Sequence, residues 1–210
     1  MDLSKLYLQR LCASFYQRKN VLVIARELLG KILVTNFDGR VTAGMIVETE
    51  AYNGITDKAS HAYNGRKTRR TEIMYKAGGV AYVYLCYGIH HLFNVVTNAE
   101  DVPHAVLIRA IEPLYGVNEM MAKCEKKQFD STLTKGPGNL SKALGISTEC
   151  SGFDLCGDNI FIADIKKQFK KSDIITTARI GVKYAAEDAL LPYRFFIKNN
   201  LFVSQSKKNI

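Results

Sequence analysis

The sequence contains no apolar run that approaches the roughly 20 residues of a membrane-spanning helix. Its first residues, Met1 to Lys5, lack the basic segment, apolar run and cleavage site of a signal peptide. With 47% hydrophobic residues, the 210-residue chain has the composition of a globular protein and enough length to bury a core. We therefore expect a single domain over residues 1–210 that binds no membrane and stays in the compartment of its synthesis.

Cysteine is scarce and follows no pattern. The five cysteines are odd in number and include no CxxC pair, which argues against a disulfide framework and against a structural zinc site. Two of the four histidines, His90 and His91, are adjacent and would point to opposite faces of a strand. The sequence thus predicts no bound metal, and no cofactor is expected.

Proline is also rare, since only four occur and none lies in a Ser/Gly-rich linker. Asn20 is the expected N-cap of one helix, which Gly30 ends, and Asn139 is the expected N-cap of another. The sequence predicts helices over Leu3–Tyr16, Asn20–Leu29, Tyr115–Lys127 and Asn139–Leu144.

Hairpin signals are frequent in the rest of the chain. Asp38-Gly39 separates two β-rich segments, Tyr87 to His90 separate two more, and residues 53–70 form a polar, basic loop. Because hairpins outnumber strand–helix–strand units, we expect a mixed α/β fold of the α+β class, with a mainly antiparallel sheet and surrounding helices. Strands are predicted over Lys31–Phe37, Arg40–Tyr52, Val80–Cys86, His91–Thr97, His104–Ile111, Ile160–Ile165, Ile174–Val182 and Tyr193–Ile197.

Basic residues exceed acidic ones by 29 to 20, which gives a net charge of +9. A basic domain often binds polyanions, because each neutralised phosphate releases condensed counterions. The clusters at 166–171 and 207–208 are interpreted as solvated surface. The candidates for gripping a nucleic-acid backbone lie in one loop: Arg66, Lys67, Arg69 and Arg70.

Two carboxylates share one face of a predicted strand. Side chains two residues apart lie on the same side of a strand, about 7 Å from one another, so Glu48, Glu50 and Tyr52 project together. Such a pair beside an aromatic ring could hold one carboxylate near a reacting water. An exposed polar strand face is the alternative that the pattern alone leaves open.

Tyrosines are concentrated around one predicted hairpin. Tyr82 and Tyr84 share a strand face, and Tyr87 should be exposed at the tip beside Gly88. A ring at a hairpin tip can pack into the core or act as a wedge between bases. Stacked rings that face a pocket would suit an everted, cationic purine, whereas tyrosine in strands is commonly plain core.

Arg109 is a single charge within an otherwise apolar predicted strand. A buried arginine needs a partner, so pairing with Glu48 or Glu50 is the structural interpretation. Holding a water or a phosphate is a compatible functional one. The segment Lys135–Leu140 could offer backbone amides to a phosphate at a helix N-terminus, or could be a plain loop and cap.

Taken together, these motifs resemble those of the alkyladenine (3-methyladenine) DNA glycosylases. The match runs in order over about residues 25–203. It implies a single α+β domain on a curved, mainly antiparallel sheet, and a monomer that acts inside the cell on genomic DNA. The implied partner is double-stranded DNA that contains damaged purines. The segments that carry the resemblance are Ile46–Tyr52, His61, Tyr82–Asn94, Leu107–Pro113, Gly136-Pro137 and Ala178–Val182.

The resemblance implies a role for each matching residue at the reacting base. Glu50 would be the general base, and Arg109 would help to position the water and a nearby phosphate. Tyr52 and Tyr84 would sandwich the everted base, with His61 beside it. Asn94 matches an asparagine of the family that screens bases at their minor-groove edge.

The same resemblance places the Tyr82–Asn94 hairpin on the DNA. Tyr87 would be inserted into the duplex, and Ile89, just after the Tyr-Gly pair, would also contact DNA. This sequence departs from many relatives at Ile89-His90-His91 and has a slightly longer segment between Asn94 and Arg109. These departures bear on DNA contacts and lesion preference rather than on the reaction.

The implied reaction is hydrolysis of the N-glycosidic bond of an alkylated or deaminated purine, such as 3-methyladenine, 7-methylguanine, hypoxanthine or ethenoadenine, which leaves an abasic site. No lysine lies in these motifs, so we expect neither a Schiff base nor strand cleavage. The alternatives are a non-catalytic damaged-DNA-binding module and an unrelated acyl- or formyl-transfer enzyme. The set Glu50, Tyr52, Tyr84 and Arg109 argues against both.

Overall fold

A computed structural model describes residues 9–204 of the chain. Its helices are α1 (Ala13–Tyr16), α2 (Val21–Glu27), α3 (Val117–Lys123) and α4 (Pro137–Leu144). Its strands are β1 (Gln9–Arg10), β2 (Ile32–Phe37), β3 (Arg40–Tyr52), β4 (Ala81–Cys86), β5 (His90–Thr97), β6 (His104–Tyr115), β7 (Ile160–Asp164), β8 (Ile174–Thr177) and β9 (Arg194–Ile197).

All of these strands join one sheet, in the order β1-β7-β2-β3-β6-β5-β4, with β9 on β3 and β8 on β9. Every pairing is antiparallel, so the predicted α+β fold with a mainly antiparallel sheet is confirmed. The long strand β3 changes partner along one edge: residues 40–45 pair with β2, and residues 48–50 pair with β9. Its other edge pairs with β6 throughout.

Local signals determine several of the element ends. The Asn20 side chain accepts hydrogen bonds from the amides of Leu22 and Val23, at 3.0 and 3.2 Å, and so caps α2 as predicted. Asp38 and Gly39 have φ angles of 52° and 78°, the left-handed pair that a two-residue type I′ hairpin turn requires. The β2–β3 hairpin is therefore confirmed.

The main core lies between the sheet and the helices. In α2, Ile24, Ala25 and Leu28 are fully buried, at the three- and four-residue spacing of an amphipathic helix. The hydroxyl of Thr49 donates to the carbonyl oxygen of Ala25 at 2.8 Å, which fixes α2 against β3. The inner half of β3 is thereby held rigidly between a helix and two strands.

The predicted helix over Leu3–Tyr16 is confirmed at Ala13–Tyr16 and wrong at residues 9–12. Gln9 and Arg10 form strand β1 against β7, and the amide of Leu11 donates to Ile162, so helix α1 begins only at Ala13. Pairing with a sheet edge satisfies these backbone groups in place of a helical turn. Residues 3–8 of that prediction lie outside the described residues, as does the basic pair Lys207-Lys208.

Other element boundaries also differ from prediction. The helix predicted from Tyr115 begins at Val117, because β6 runs through Tyr115 and Gly116 is left-handed, and it ends at Lys123. Helix α4 begins at Pro137, one residue after Gly136, and the Asn139 side chain instead donates to the carbonyls of Thr132 and Lys135. The strand predicted over 174–182 ends at Thr177, and residues 178–182 continue as a loop.

Residues 53–70 form the predicted loop, interrupted by short 3-10 turns at Gly54–Thr56 and Tyr63–Gly65. Across residues 9–204, no helix has the length and apolar character needed to cross a bilayer.

Candidate active site

Two adjacent β-bulges shape the pairing of β3 with β6. In the first bulge, Ile46 pairs with Ile111 and Glu48 with Ala110, so β3 has one extra residue between the two pairs. In the second bulge, Thr49 pairs with Ile108, so Arg109 is the extra residue, and it lies in β6. A bulge redirects a side chain and is common beside functional sites. Here the bulges bring the Arg109 side chain to the face on which Glu48 and Glu50 lie.

Glu50 is fully buried, and three donor groups contact its carboxylate. Its Oε1 accepts the amide of Ile180 at 2.7 Å, and its Oε2 accepts the Tyr52 hydroxyl at 3.0 Å and lies 3.2 Å from Nη1 of Arg109. Each carboxylate oxygen offers about two lone-pair directions. One acceptor direction therefore remains on Oε1, beside Ile180.

Arg109 bridges the two carboxylates predicted as its partners. Its Nε donates to Glu48 at 2.9 Å, while Nη1 pairs with Glu50, so the structural interpretation is confirmed for both. Burial acts to lower the pKa of Arg109, but the charges of Glu50 and Glu48 outweigh it and raise this pKa. The guanidinium therefore stays charged on the wall of a cavity.

An open cavity of about 570 Å³ lies in front of this pair. Tyr52, Tyr84, His61 and Arg109 all line it, although Glu50 itself lies behind the wall formed by Arg109 and Ile180. Burial, followed by the charge of Glu50, raises the pKa of Tyr52, so its hydroxyl keeps its proton and donates to Glu50. The carboxylate is thus one side-chain layer from the space that a ligand can enter.

Aromatic rings gather at one end of this cavity. The rings of Tyr82 and Tyr84 are 5.6 Å apart, on the strand face that they were predicted to share. His61 packs edge-on against Tyr84 at 4.6 Å, and its Nδ1 is 2.9 Å from the Tyr82 hydroxyl. Burial, and then the charges of Arg70 and Arg66, lower the pKa of His61 to about 4. Its ring is therefore neutral at physiological pH.

A much smaller cavity, of about 30 Å³, lies deeper between Tyr52, Tyr82 and Tyr84. Asn94 lines it and is 3% exposed. The Asn94 amide nitrogen donates to the carbonyl oxygens of Tyr82 and Leu92, at 3.1 and 3.2 Å. These bonds orient the amide, so that its oxygen is the group left to meet a ligand edge.

The β4–β5 hairpin projects two apolar side chains into solvent. Tyr87 is 89% exposed and Ile89 is 71% exposed. Tyr87 has a φ of 52° and Gly88 one of 72°, and the amide of Ile89 donates to Cys86 across the turn. A left-handed conformation is costly for a bulky residue. Local stability therefore does not account for a tyrosine at this position.

The basic loop lies beside the cavity, and Arg66, Lys67, Arg69 and Arg70 are all exposed. The guanidinium of Arg70 lies 5.8 Å from the Tyr84 ring and lines the cavity, whereas Lys67 is 3.5 Å from Asp101. Buried Thr71, which donates to the Arg66 carbonyl oxygen, fixes the loop from beneath.

Three contributors to this site were given no role from the sequence, although two of them lie in the segment Ala178–Val182 that carries part of the resemblance. The Ile180 amide holds Glu50 from 130 residues away. Tyr184 lines both cavities and donates to the Ala59 carbonyl oxygen at 3.1 Å. Arg179 pairs with buried Asp57 behind Tyr52. A buried Arg–Asp pair consists of charged residue types that are visible in a sequence, whereas a hydrogen bond from a backbone amide cannot be predicted from residue type.

Within residues 9–204, no group of three or more histidine, cysteine, aspartate or glutamate side chains is arranged as a metal site. Residues 135–139, among them Lys135, also line the large cavity.

Comparison with known proteins gives a consistent result. The model of the methylpurine-DNA glycosylase family matches residues 14–201. A protein of Chlamydia abortus is 48% identical over 88% of this chain and 96% of its own length, and one of Desulfitobacterium hafniense is 43% identical over 94% and 99%. Each carries a name that assigns it to the 3-methyladenine DNA glycosylases. The resemblance found from the motifs is confirmed.

Proposed function

The chain belongs to the methylpurine-DNA glycosylase family, and from this premise we propose that it flips alkylated or deaminated purines out of duplex DNA and hydrolyses their N-glycosidic bond with Glu50 as general base. Members of this family are hydrolases that act on N-glycosyl bonds in DNA repair. The proposed product is an abasic site, and the proposed substrates include 3-methyladenine, 7-methylguanine, hypoxanthine and ethenoadenine.

The observation that carries this proposal is the position of Glu50 behind a cavity walled by tyrosines. Glu50 is fully buried behind the wall, and a water bound between Ile180 and Arg109 would meet the free acceptor direction of Oε1 there. Glu50 would take a proton from this water as it attacks C1′ of the deoxyribose and the C1′–N bond breaks, and its negative charge would stabilise the developing oxocarbenium ion. A cationic alkylated base would leave as the neutral purine, and a neutral base such as hypoxanthine would leave with a proton gained from water. Arg109 would hold Oε2 in place and attract a neighbouring phosphate.

The ring cluster suits an everted purine. Tyr52 and Tyr84 would stack on its faces, and a cationic alkylated base gains additional attraction to such rings. Neutral His61 can approach that base without charge repulsion. The oriented Asn94 would screen the edge of the base at the small inner cavity.

The exposed side chains define how the duplex would be held. Tyr87 would fill the gap left by the everted nucleotide, and Ile89 would pack beside it against the bases. Phosphates would be bound by the exposed basic loop: Arg66, Lys67, Arg69 and Arg70. We further propose that the protein works as a monomer, inside the cell, on genomic DNA.

A single substitution tests the role of Glu50 as the general base. Glu50→Gln keeps the shape of the side chain but removes the proton acceptor; its single amide oxygen can accept from Ile180 or from Arg109 but not from both, since these donors lie on different oxygens of Glu50. We expect it to bind a duplex with an ethenoadenine at wild-type affinity while base release falls by about three orders of magnitude or more. Gel-shift titration and alkali cleavage of the reacted duplex measure the two quantities.

Turnover of Glu50→Gln at the wild-type rate would contradict the assignment of the base. Wild-type protein that binds the lesion duplex but releases no base would instead favour a non-catalytic damaged-DNA-binding module.

Lys135 lies on the cavity wall and has an amine that could form a Schiff base with the sugar, so the proposal that no Schiff base forms needs its own test. Borohydride reduction during turnover should trap no covalent protein–DNA adduct, and the product strand should remain intact until alkali is added. A trapped adduct that is lost in Lys135→Gln would overturn the monofunctional assignment.

A further inference from the structure

Glu48 lies behind Arg109 and does not line the cavity. It is fully buried, so it touches neither a ligand nor solvent, yet it collects more polar contacts than Glu50 does. Oε1 accepts from Nε of Arg109 at 2.9 Å and from Nε of Arg194 at 2.7 Å. Both oxygens also lie 2.7 Å from the hydroxyl of Ser204, whose amide donates to Oε2 at 2.7 Å.

These contacts fix every nitrogen of Arg109. Nε is bound to Glu48, Nη1 pairs with Glu50, and Nη2 donates to the Ser204 hydroxyl at 3.3 Å. Because a guanidinium is planar, holding Nε and Nη2 on one side fixes the direction in which Nη1 points. Arg109 can therefore engage only Oε2 of Glu50, which leaves Oε1 available.

The second arginine completes the arrangement from the C-terminal part of the chain. Arg194 of β9 donates to the carbonyl oxygen of Ser204 through Nη2 at 2.5 Å and to Thr177 through Nη1 at 3.3 Å. Ser204 is thus held against Glu48 by its own amide and by Arg194. Two buried arginines and two buried glutamates balance their charges here.

We propose that Glu48 is a positioning residue for the glycosylase reaction, and that it and Ser204 hold Arg109 in the one orientation that leaves Glu50 free to accept a proton. This inference rests on the proposed function of Glu50. Without the negative charge at position 48, Arg109 would turn to bind both oxygens of Glu50, since a bidentate pair is the preferred geometry. The carboxylate would then lose its free acceptor.

The primary test is Glu48→Gln, which keeps the shape and removes the charge. We expect kcat to fall about 10- to 100-fold while KM for an ethenoadenine duplex stays within about twofold, because substrate contacts are intact. Loss of a neighbouring negative charge favours ionised Glu50, so the acid limb of the kcat–pH profile should move to lower pH. The other groups that face Glu50 are unchanged: Tyr52, Tyr84, Arg179 and Tyr184. An Arg109 that binds both oxygens of Glu50 would move the acid limb in the same direction.

Ser204 provides a second variant that removes no charge. Ser204→Ala should lower kcat about 2- to 10-fold, with the acid limb at its wild-type pH, and Ser204→Thr, which keeps the hydroxyl, should restore most of the activity. Thr42→Val is the matched structural control, because it removes a buried hydrogen bond to Thr35 on the distant half of β3. It should lower stability and leave kcat and the profile unchanged.

The outcomes separate this inference from the proposed function. If wild-type protein releases no base, or Glu50→Gln turns over normally, the proposed function fails and this inference falls with it. If those two behave as proposed, but the folded Glu48→Gln variant matches wild type in kcat and acid limb, Glu48 is not a positioning residue. Should Glu48→Gln fail to fold, wild-type kcat in Ser204→Ala would equally overturn the positioning role.

Discussion

The imidazole of His61 carries no charge at neutral pH, because burial and then the charges of Arg70 and Arg66 lower its pKa to about 4. The ring nonetheless lies against Tyr84 at the cavity, where the proposed substrate is a cation. A protonated histidine there would repel an alkylated purine. Burial, helped by the arginines that would attract phosphate, thus keeps this imidazole neutral.

This shift predicts how stability depends on pH. An unfolded histidine titrates near pH 6.5, so between about pH 6.5 and 4 the unfolded chain binds a proton that folded His61 does not. The contribution of neutral His61 to the free energy of unfolding is therefore complete above pH 6.5. It is lost as the pH falls towards 4, and the loss is on the order of 3 kcal/mol. Urea unfolding at about pH 7 and about pH 4.5 measures it.

His61→Gln is the control for this titration. The variant should lose less stability than wild type over the same pH interval, since it has no proton to gain at this position. Equal losses in the two proteins would mean that His61 is not held neutral by the fold.

Individual side chains differ in how far the sequence predicts their partners. Arg109 stands alone among apolar residues of a strand, so its need for a carboxylate is visible, and both predicted partners are present. The link between Glu50 and the Ile180 amide is not visible, because every residue has an amide and these two are 130 positions apart. The roles of Tyr52, Tyr84 and Asn94 in binding a base stay predictions.

Among the elements, the two hairpins use the same turn for different purposes. Asp38-Gly39 and Tyr87-Gly88 both have positive φ at each central residue. Asparagine and aspartate tolerate this conformation, whereas tyrosine does not. The β4–β5 hairpin therefore carries strain, of order 1 kcal/mol, at an almost fully exposed ring.

Replacing this tyrosine should change stability and function in opposite directions. Tyr87→Asn creates Asn-Gly, the preferred type I′ pair, so the melting temperature should stay the same or rise. Loss of the ring should weaken binding to a lesion duplex by about 1–3 kcal/mol, since stacking between bases is lost. Thermal unfolding and fluorescence titration check the two effects.

Asp38→Asn creates the same dipeptide in the β2–β3 turn, away from the cavity. It should leave DNA binding unchanged. A Tyr87→Asn protein that binds the lesion duplex as tightly as wild type would remove Tyr87 from the proposed wedge.

Short-range signals predicted the elements well where nothing competed with them. The Asn20 cap and both glycine turns act within four residues, and the structure has them where they were expected. The predictions failed where tertiary pairing prevailed: β7 draws residues 9–10 into the sheet, and β6 extends through Tyr115 at the expense of a helix. Such pairing depends on residues far away in sequence.

At the level of the whole molecule, the net charge of +9 is distributed over several surfaces, and the basic loop borders the cavity through Arg70. If this loop binds phosphates, each contact that is lost should reduce the slope of log affinity against log salt by about 0.9. Arg66→Gln, Arg69→Gln and Arg70→Gln combined should therefore flatten that slope by up to about 3.

A variant of equal net charge is the control. Lys166, Lys170 and Lys171, also exposed, changed to glutamine lower the charge by the same three units on a different surface. Its salt slope should stay close to wild type when DNA binding is followed by fluorescence anisotropy. Equal flattening in both triple variants would indicate that overall charge, rather than this loop, governs binding.

The change of partner along β3 also bears on how the protein is made. Residues 48–50 pair with β9, and Glu48 is satisfied by Arg194 and Ser204, so these contacts come from the last part of the described chain. During translation β3 leaves the ribosome some 150 residues before Ser204 does. A nascent chain can fold its β2–β3 hairpin early, but its proposed reactive centre is assembled only after Ser204 has been made.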